Sequence, residues 1–292
     1  MNSSFLPGPW VDPEPQEERP WLSQTGIVKF IEFPVRIDAM SRRAFHLYWQ
    51  RHHSPNVMNV TGFAQFMRKY NSGHIFPEHC EELPLHYSQD HPFEGAAEVW
   101  INRWQEVGDW LGHPLYAELV QPDEPRFIAQ DGRSAILVTK EERIYEPDLD
   151  MFENGKVKAY LLFGCRPGRQ RAEFHQSLSD HSKLIVAQSS LRSKLLKLVV
   201  SHRLPDPNPI DGLPDTDVDG VVELWFESRK GMAAFFADPA YSEVIVPREA
   251  DFANTETLRA LGARMRVVHD EFSFQPSTMQ PLPFAWSDGE AS

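Results

Sequence analysis

The stretch Phe45–Pro55 has the sequence FHLYWQRHHSP, and it is followed by YNSGH at Tyr70–His74. Both pieces recur in weaker form in the second half of the chain. FHQSLSDH at Phe174–His181 echoes the first piece, and VSH at Val200–His202 echoes the second. The chain is therefore interpreted as two copies of one structural unit.

Other matched blocks support this repeat in the same order along the chain. Ile27–Lys29 matches Lys156–Lys158 at a shift of 129 residues, and Glu98–Trp100 matches Glu223–Trp225 at a shift of 125. Each copy has the predicted order β-α-β-β-α-β, which is the ferredoxin-like unit. One such sheet has helices on one face only, so its other face must also be buried. We therefore predict an α+β protein with two ferredoxin-like (βαββαβ) repeats, packed sheet to sheet as an α+β barrel within one chain.

The domain boundaries follow from proline-rich and turn-forming segments. Prolines and a lack of periodicity mark the two ends of the chain, and Asn154-Gly155 marks a turn between the copies. The predicted units are an extended proline-rich arm at 1–25, a first domain at 26–146, a linker at 147–155, a second domain at 156–272 and a C-terminal tail at 273–292.

Hydrophobic periodicity gives a coarse secondary structure for the first copy. It predicts a strand over Ile27–Val35 and a helix that begins after Ser41, ends near His52 and is broken by Pro55. A second strand is predicted over Phe63–Tyr70, and a fourth over Ala135–Tyr145.

Composition and charge exclude several classes of function. The chain has 292 residues and a net charge of -13, which argues against nucleic-acid and anionic membrane surfaces. It has two cysteines and no apolar run long enough to span a membrane. The first residues do not have the pattern of a signal peptide, so a cytoplasmic location is expected.

The quoted motifs resemble a known family. Phe45-x-x-Tyr48-Trp49-x-x-x-His53-x-Pro55 with Tyr70-x-x-x-His74 is similar to the EthD-type branch of the dimeric α+β barrel superfamily. The resemblance covers about residues 26–146 and, more weakly, 156–272. It implies a tandem EthD protein, in a superfamily that contains cofactor-free monooxygenases, cyclases, decarboxylases, dehydratases, isomerases and haem enzymes. Such a fold alone does not determine the reaction.

Three residues are the candidates for catalysis: His53, His74 and Tyr70. Imidazole titrates near neutral pH, so a histidine can accept and return a proton without a cofactor. The structural alternative is that both histidines only cap or anchor the helix against the sheet.

Flat aromatic and polar side chains near these motifs are the candidates for substrate contacts. They are Tyr48, Trp49, His52, Asn71, Trp100, His181, His202 and Trp225. Ordinary core packing is the alternative for each aromatic residue. The motif is degraded in the second copy, where Leu178 replaces the tryptophan and Ser182 follows His181. No metal site is predicted, because the histidines and Cys80 after His74 lack the spacing of a zinc site.

Three functions remain open. The first is a cofactor-independent enzyme of lyase or isomerase type, which uses histidine acid–base chemistry on an aromatic, phenolic or polyketide-like small molecule. The second is a cofactor-free monooxygenase or a haem-dependent oxidoreductase of the same fold. The third is a non-catalytic small-molecule binding protein. Either a monomer or a homodimer is compatible with the sequence.

Overall fold

The computed structural model describes residues 26–76, 80–84, 86–148, 151–204 and 216–272. The predicted arm at 1–25 and tail at 273–292 lie outside the described residues. Within the described ranges, eight strands form a closed antiparallel barrel with the helices outside it. The prediction of an α+β barrel within one chain is therefore confirmed.

The first half supplies four strands, and its helices follow the first and third of them. The elements are β1 Val28–Phe33, α1 Arg42–Tyr48, a π-helical turn Trp49–His53, α2 Ser54–Asn59, α3 Thr61–Ala64, β2 Met67–Ile75, β3 Gly95–Ile101, α4 Trp104–Leu111, a π-helical turn Tyr116–Val120, a 3-10 helix Gln121–Arg126 and β4 Ala135–Tyr145. 

The second half repeats this order with a longer first helix. Its elements are β5 Val157–Phe163, α5 Arg171–Ala187, α6 Ser189–Arg192, β6 Lys197–Arg203, β7 Gly220–Phe226, α7 Arg229–Phe236, a π-helical turn Tyr241–Ile245, α8 Val246–Glu249 and β8 Arg259–Asp270. 

The barrel closes because the edge strands of the two halves pair with each other. The strand order is β1-β3-β2-β8-β5-β7-β6-β4, and β4 pairs with β1 to complete the ring. Strand β2 joins β8 with Ser72 opposite Arg266, and β4 joins β6 with Glu142 opposite Val200. Closure leaves no unpaired edge in the barrel.

Alternate residues of each strand point to the barrel interior or to the helices. In β1, Ile31 and Phe33 belong to the apolar cluster inside the barrel, whereas Val28 and Phe30 pack under the first-half helices. The second half has its own cluster between sheet and helices, which includes Leu161 and Val222. Each half therefore has a side-chain layer between its helices and the outer face of the barrel.

An ion cluster fills part of the interior. Lys29 Nζ lies 2.7 Å from Glu98 and 2.7 Å from Glu223, and Lys158 contacts the same two carboxylates. Burial alone lowers the pKa of Lys29, but Glu223 and Glu98 outweigh burial and raise that pKa well above its usual value. Glu141 is a third carboxylate partner of Lys29, at 3.1 Å. The two lysines and the two carboxylates that they share, Glu98 and Glu223, are completely or almost completely buried. Their charges neutralise one another.

Two local predictions were wrong in detail. The helix does not end before Pro55, because a π-helical turn at Trp49–His53 leads directly into α2, where proline occupies the first turn. The proline is accommodated there because the π-helical turn before it shifts the backbone hydrogen bonds to the i→i−5 pattern, as in the bond from the Ser54 N–H to the Trp49 carbonyl. The second strand begins at Met67, since Thr61–Ala64 is helical. Ser41 caps α1 as predicted, and β4 has the predicted bounds.

No helix in the described ranges is both long and apolar enough to cross a membrane.

Candidate functional site

The candidate site is the layer between the first-half helices and strand β2. Strand alternation points Tyr70 and His74 toward the helices, where α1 and the following π-helical turn cover them. Three groups meet in this layer: a buried histidine pair, a buried tryptophan–tyrosine pair, and a histidine–aspartate pair whose aspartate is half-buried.

The histidine pair joins helix α1 to strand β2. Nδ1 of His46 lies 2.9 Å from Nδ1 of His74, and Nε2 of His74 lies 3.3 Å from the Ser72 hydroxyl. Burial, with a smaller effect of Arg42, lowers the pKa of His46 to about 3. Burial also lowers the pKa of His74, and His46 and Arg266 lower it further. Both imidazoles are therefore neutral near pH 7, with one nitrogen donating and the other accepting.

The tryptophan–tyrosine pair lies beside His74. Nε1 of Trp49 donates to the Tyr70 hydroxyl at 2.9 Å, and the Ser54 hydroxyl lies 3.4 Å from the same oxygen. The ring centroids of Trp49 and His74 are 5.3 Å apart. Burial raises the pKa of Tyr70, so its hydroxyl keeps its proton at neutral pH.

The histidine–aspartate pair lies at the end of the π-helical turn. Nδ1 of His53 is 3.0 Å from Oδ2 of Asp123, and the Tyr48 hydroxyl donates to Oδ1 of the same carboxylate at 2.5 Å. The hydrogen bond from His53 lowers the pKa of Asp123, so Asp123 is ionised. The ring of Phe127 packs against His53 at a centroid distance of 4.8 Å. Nε2 of His53 is then the nitrogen available for proton exchange.

The other first-half residues that were predicted to contact a substrate lie either on the surface or inside the barrel. His52 is exposed and packs its ring against Tyr48 at 5.2 Å. Asn71 points into the barrel, where its amide donates to Glu153 at 2.9 Å. Trp100 lies under Lys29 at 4.6 Å and donates to Glu141. The structure does not bring Asn71 or Trp100 to the layer that holds His74.

The second-half candidates occupy the matched layer and the interior. Trp225 lies inside the barrel under Lys158, at 4.6 Å, which mirrors Trp100. His202 pairs with His175 at a centroid distance of 5.0 Å, and its Nε2 lies 3.1 Å from Glu142. Nε2 of His181 lies 3.7 Å from Glu249. Substrate contact by any of these residues stays a prediction.

Matched positions show how the second layer departs from the first. At the shifts given by the repeat, Leu178 replaces Trp49, Ser182 replaces His53 and Arg248 replaces Asp123. Leu178 and Ser182 are completely buried. The second half therefore has a histidine pair but no histidine–aspartate pair at the positions that match the first.

Sequence reasoning missed four residues of the first layer. His46 stands inside the Phe45–Pro55 stretch, but its partner His74 is on a strand 28 positions away, and Asp123 is 70 positions from its partner His53. Glu32 lies on the outer face of β1, where burial, and then Glu124, raises the pKa of its carboxyl to about 8. Arg266 comes from β8 of the other half and is 4% exposed. A strand register was needed to place Arg266 beside His74.

Possible metal ligands do not cluster in the part of the chain that the structure describes. No group of three or more histidine, cysteine, aspartate or glutamate side chains there is arranged to hold a metal ion. His79, one of the loop histidines, lies outside the described residues.

The fold and the site together define an α+β barrel protein with two related halves and a histidine-rich layer in the first. The chain belongs to the EthD domain family, whose sequence profile matches residues 37–131 and 166–256. The predicted family resemblance is thus confirmed across both halves. No curated protein sequence matches the chain.

Solved structures that resemble this chain do so at low sequence identity. An anthrone oxidase-like protein superposes with a TM-score of 0.57 at 6% identity, over 86% of this chain and 97% of that one. A protein from Fusobacterium nucleatum that carries the name of a monooxygenase has a TM-score of 0.48 at 8% identity, over 85% and 94% of the two chains. A similarly named protein from Lactobacillus acidophilus has a TM-score of 0.47 at 9% identity, over 85% and 97%. At 6% identity the likeness to the anthrone oxidase-like protein extends to the fold alone.

Proposed function

We propose that this protein is an enzyme that transfers protons on an aromatic or phenolic small molecule, with His53 as the acid–base group and no bound cofactor. The observation that supports it best is the 3.0 Å contact between Nδ1 of His53 and Asp123. A carboxylate at this nitrogen fixes the ring orientation and favours the tautomer with a free Nε2. Proton removal from a hydroxyl or an activated carbon can then precede elimination, decarboxylation or isomerisation.

The groups around His53 suit that chemistry. Tyr48 donates to the second oxygen of Asp123, so the carboxylate is held on both sides. Trp49 and Tyr70 place a polar hydroxyl next to a large flat ring, which suits a planar substrate that bears oxygen. His74 is neutral and donates or accepts hydrogen bonds without adding charge.

A second candidate is oxidative chemistry, favoured by the fold shared with the anthrone oxidase-like protein. A cofactor-free oxygenase would use the same first step, because a deprotonated phenol is the species that reacts with oxygen. In the haem alternative, His53 fits the role of iron ligand, since metal-bound histidines commonly present one nitrogen and hydrogen-bond a carboxylate through the other. Haem would supply redox chemistry there, and a visible absorption spectrum of the purified protein tests for it.

The proposed pair is tested by nitrogen NMR of the histidine rings in the wild type and in Asp123→Asn. The neutral His53 ring should carry its proton on Nδ1 in the wild type, and the Nε2 tautomer should gain population in Asp123→Asn. Glu118→Gln, at an exposed position, is the control and should leave the ring unchanged. A neutral wild-type His53 ring that carries its only proton on Nε2 would overturn the assignment.

We also propose that each half is a ferredoxin-like unit. The strand orders β4-β1-β3-β2 and β8-β5-β7-β6, each within one half, support this relationship.

A further inference from the structure

Four residues form one straight row across the outer face of the first-half sheet. Glu32 on β1 is opposite Ala97 on β3, Ala97 is opposite Ser72 on β2, and Ser72 is opposite Arg266 on β8. Three strand spacings separate the ends, on the order of 14 Å in total. The row therefore has a carboxyl at one end, a guanidinium at the other and two small side chains between them.

The row at the matched positions of the second half consists of three aliphatic residues and one glutamate. Leu161 is opposite Val222, Val222 is opposite Val200, and Val200 is opposite Glu142. The three aliphatic residues are 0% exposed and belong to the core under the second-half helices. Glu32 and Ala97, by contrast, keep partial solvent contact although helices cover that sheet. The second row is filled core. In the first row Ser72 and Arg266 are buried as well, but the positions of Glu32 and Ala97 keep partial solvent contact.

The two ends that match each other, Glu142 and Arg266, also differ in their partners. Glu142 accepts from Ser179 at 2.5 Å and lies 3.1 Å from Nε2 of His202 and 3.2 Å from Lys183. Burial raises the pKa of Glu142, but the hydrogen bonds from His202 and Ser179 bring it down to about 2. Its charge is thus fully compensated within the protein.

Arg266 lacks such compensation. It is 4% exposed, and within the described ranges its Nε and Nη1 are buried without a hydrogen-bond partner. Its side chain is on the face of Tyr70 and His74. Burial raises the pKa of Tyr70 and the charge of Arg266 opposes that rise, whereas burial lowers the pKa of His74 and Arg266 lowers it further. Burial lowers the pKa of Arg266 itself. Burying a guanidinium without an anion costs free energy of folding. A buried arginine of this kind therefore offers a position where a carboxylate or a similar anion can bind.

We propose that this row is the floor of a binding site for an aromatic anion, in which Arg266 binds a carboxylate or phenolate oxygen. Ala97 and Ser72 provide the two small side chains that would lie under the ring, and Glu32 is at the far end of the row. The inference deepens the proposed function, because it names the substrate class, and it rests on that function for the role of the first half. A guanidinium fork suits carboxylate oxygens in particular, since it offers two parallel donors.

Calorimetric titration of the whole protein tests the site without turnover. The probes are sodium benzoate for a carboxylate, 4-nitrophenolate for a phenolate and benzyl alcohol as the uncharged analogue. The wild type should bind at least one of the two anions about tenfold or more tightly than benzyl alcohol. Arg266→Met should lose about 10- to 100-fold for that anion, and Arg266→Lys should keep part of the preference. The matched control is Arg259→Met, since Arg259 lies on the same strand but pairs with Asp217 near the surface.

Thermal unfolding of the unliganded variants separates this role from a structural one. Arg266→Met should unfold at or above the wild-type temperature, because it removes an uncompensated buried charge. Glu142→Met should unfold at a lower temperature, because it leaves His202 and Lys183 without their carboxylate. A loss of stability in Arg266→Met equal to that in Glu142→Met would overturn the proposal.

Anion binding at Arg266 and proton transfer by His53 can fail separately. Anion binding that is as tight in Arg266→Met as in the wild type, or no anion preference in the wild type, overturns this inference and leaves the role of His53 standing. Anion binding that depends on Arg266, together with full turnover in His53→Gln, supports this site and refutes the proposed proton transfer.

Discussion

The indole of Trp49 lies directly on the backbone of Gly95, so closely that a methyl group at position 95 would overlap its six-membered ring. Glycine is therefore required where the helix-borne tryptophan meets strand β3. The contact holds Trp49 at the position from which it donates to Tyr70. In the second half, Gly220 stands at the matched position and meets the methyl end of Leu178 instead.

Gly95→Ala should displace Trp49 and destabilise the protein by about 1–3 kcal/mol, the usual cost of overpacking. Gly220→Ala should cost less, because the end of a leucine side chain moves more easily than an indole ring. Urea unfolding measures the free energies, and the indole N–H resonance of Trp49 in a nitrogen NMR spectrum reports its displacement. Equal losses of stability in the two variants would show that the contact of Trp49 with Gly95 is no tighter than the contact of Leu178 with Gly220.

Glu32→Gln should stabilise the protein at neutral pH. The folded-state pKa of Glu32, about 8, is above its ordinary value of 4.5, so the carboxyl is neutral in the folded protein while it ionises in the unfolded chain. The wild type should lose stability between about pH 4.5 and pH 8 for this reason, and the variant should not. At pH 7 the difference should be on the order of 2 to 3 kcal/mol.

Urea unfolding of both proteins at about pH 5 and about pH 8 measures this difference. Glu118→Gln, at an exposed position, is the control and should follow the wild type. If Glu32→Gln has the same stability as the wild type at both pH values, then Glu32 is not held neutral by its surroundings.

Lys29→Met should be strongly destabilising. Removing this ammonium leaves Glu98, Glu141 and Glu223 with less compensation inside the barrel, which typically costs about 3–5 kcal/mol. Lys156→Met removes a lysine paired with an exposed glutamate, Glu227, and should cost less than about 1 kcal/mol. Chemical unfolding of the two variants gives both values, and similar values would argue that the interior cluster is hydrated.

The repeat in the sequence was sufficient to predict the barrel, because matched blocks at shifts of 129 to 125 imply two similar halves that must cover each other. Strand alternation could also have separated Tyr70 from Asn71, since adjacent strand residues point to opposite faces. The fourth strand, Ala135–Tyr145, was predicted correctly because its turns and its length are both marked in the sequence.

The partners of the site residues could not be predicted in this way. Asp123 lies 70 positions from His53 and approaches it only through the fold of the segment Gln121–Arg126. Arg266 enters the first-half layer because β8 pairs with β2, and that pairing depends on how the halves close. A proline usually indicates a helix end, but at Pro55 the preceding π-helical turn allows the helix to continue.

The role of His53 is tested most directly by the turnover of hydroxylated benzenes and naphthalenes by the wild type, His53→Gln and His181→Gln. A positioned proton-transfer group contributes roughly 10²–10⁴-fold, so His53→Gln should lose that much turnover. His181, which belongs to the second half and lacks the aspartate partner, should tolerate the same change within a few-fold. Near-normal turnover in His53→Gln, or an equal loss in His181→Gln, would contradict the assignment of the working site to the first half.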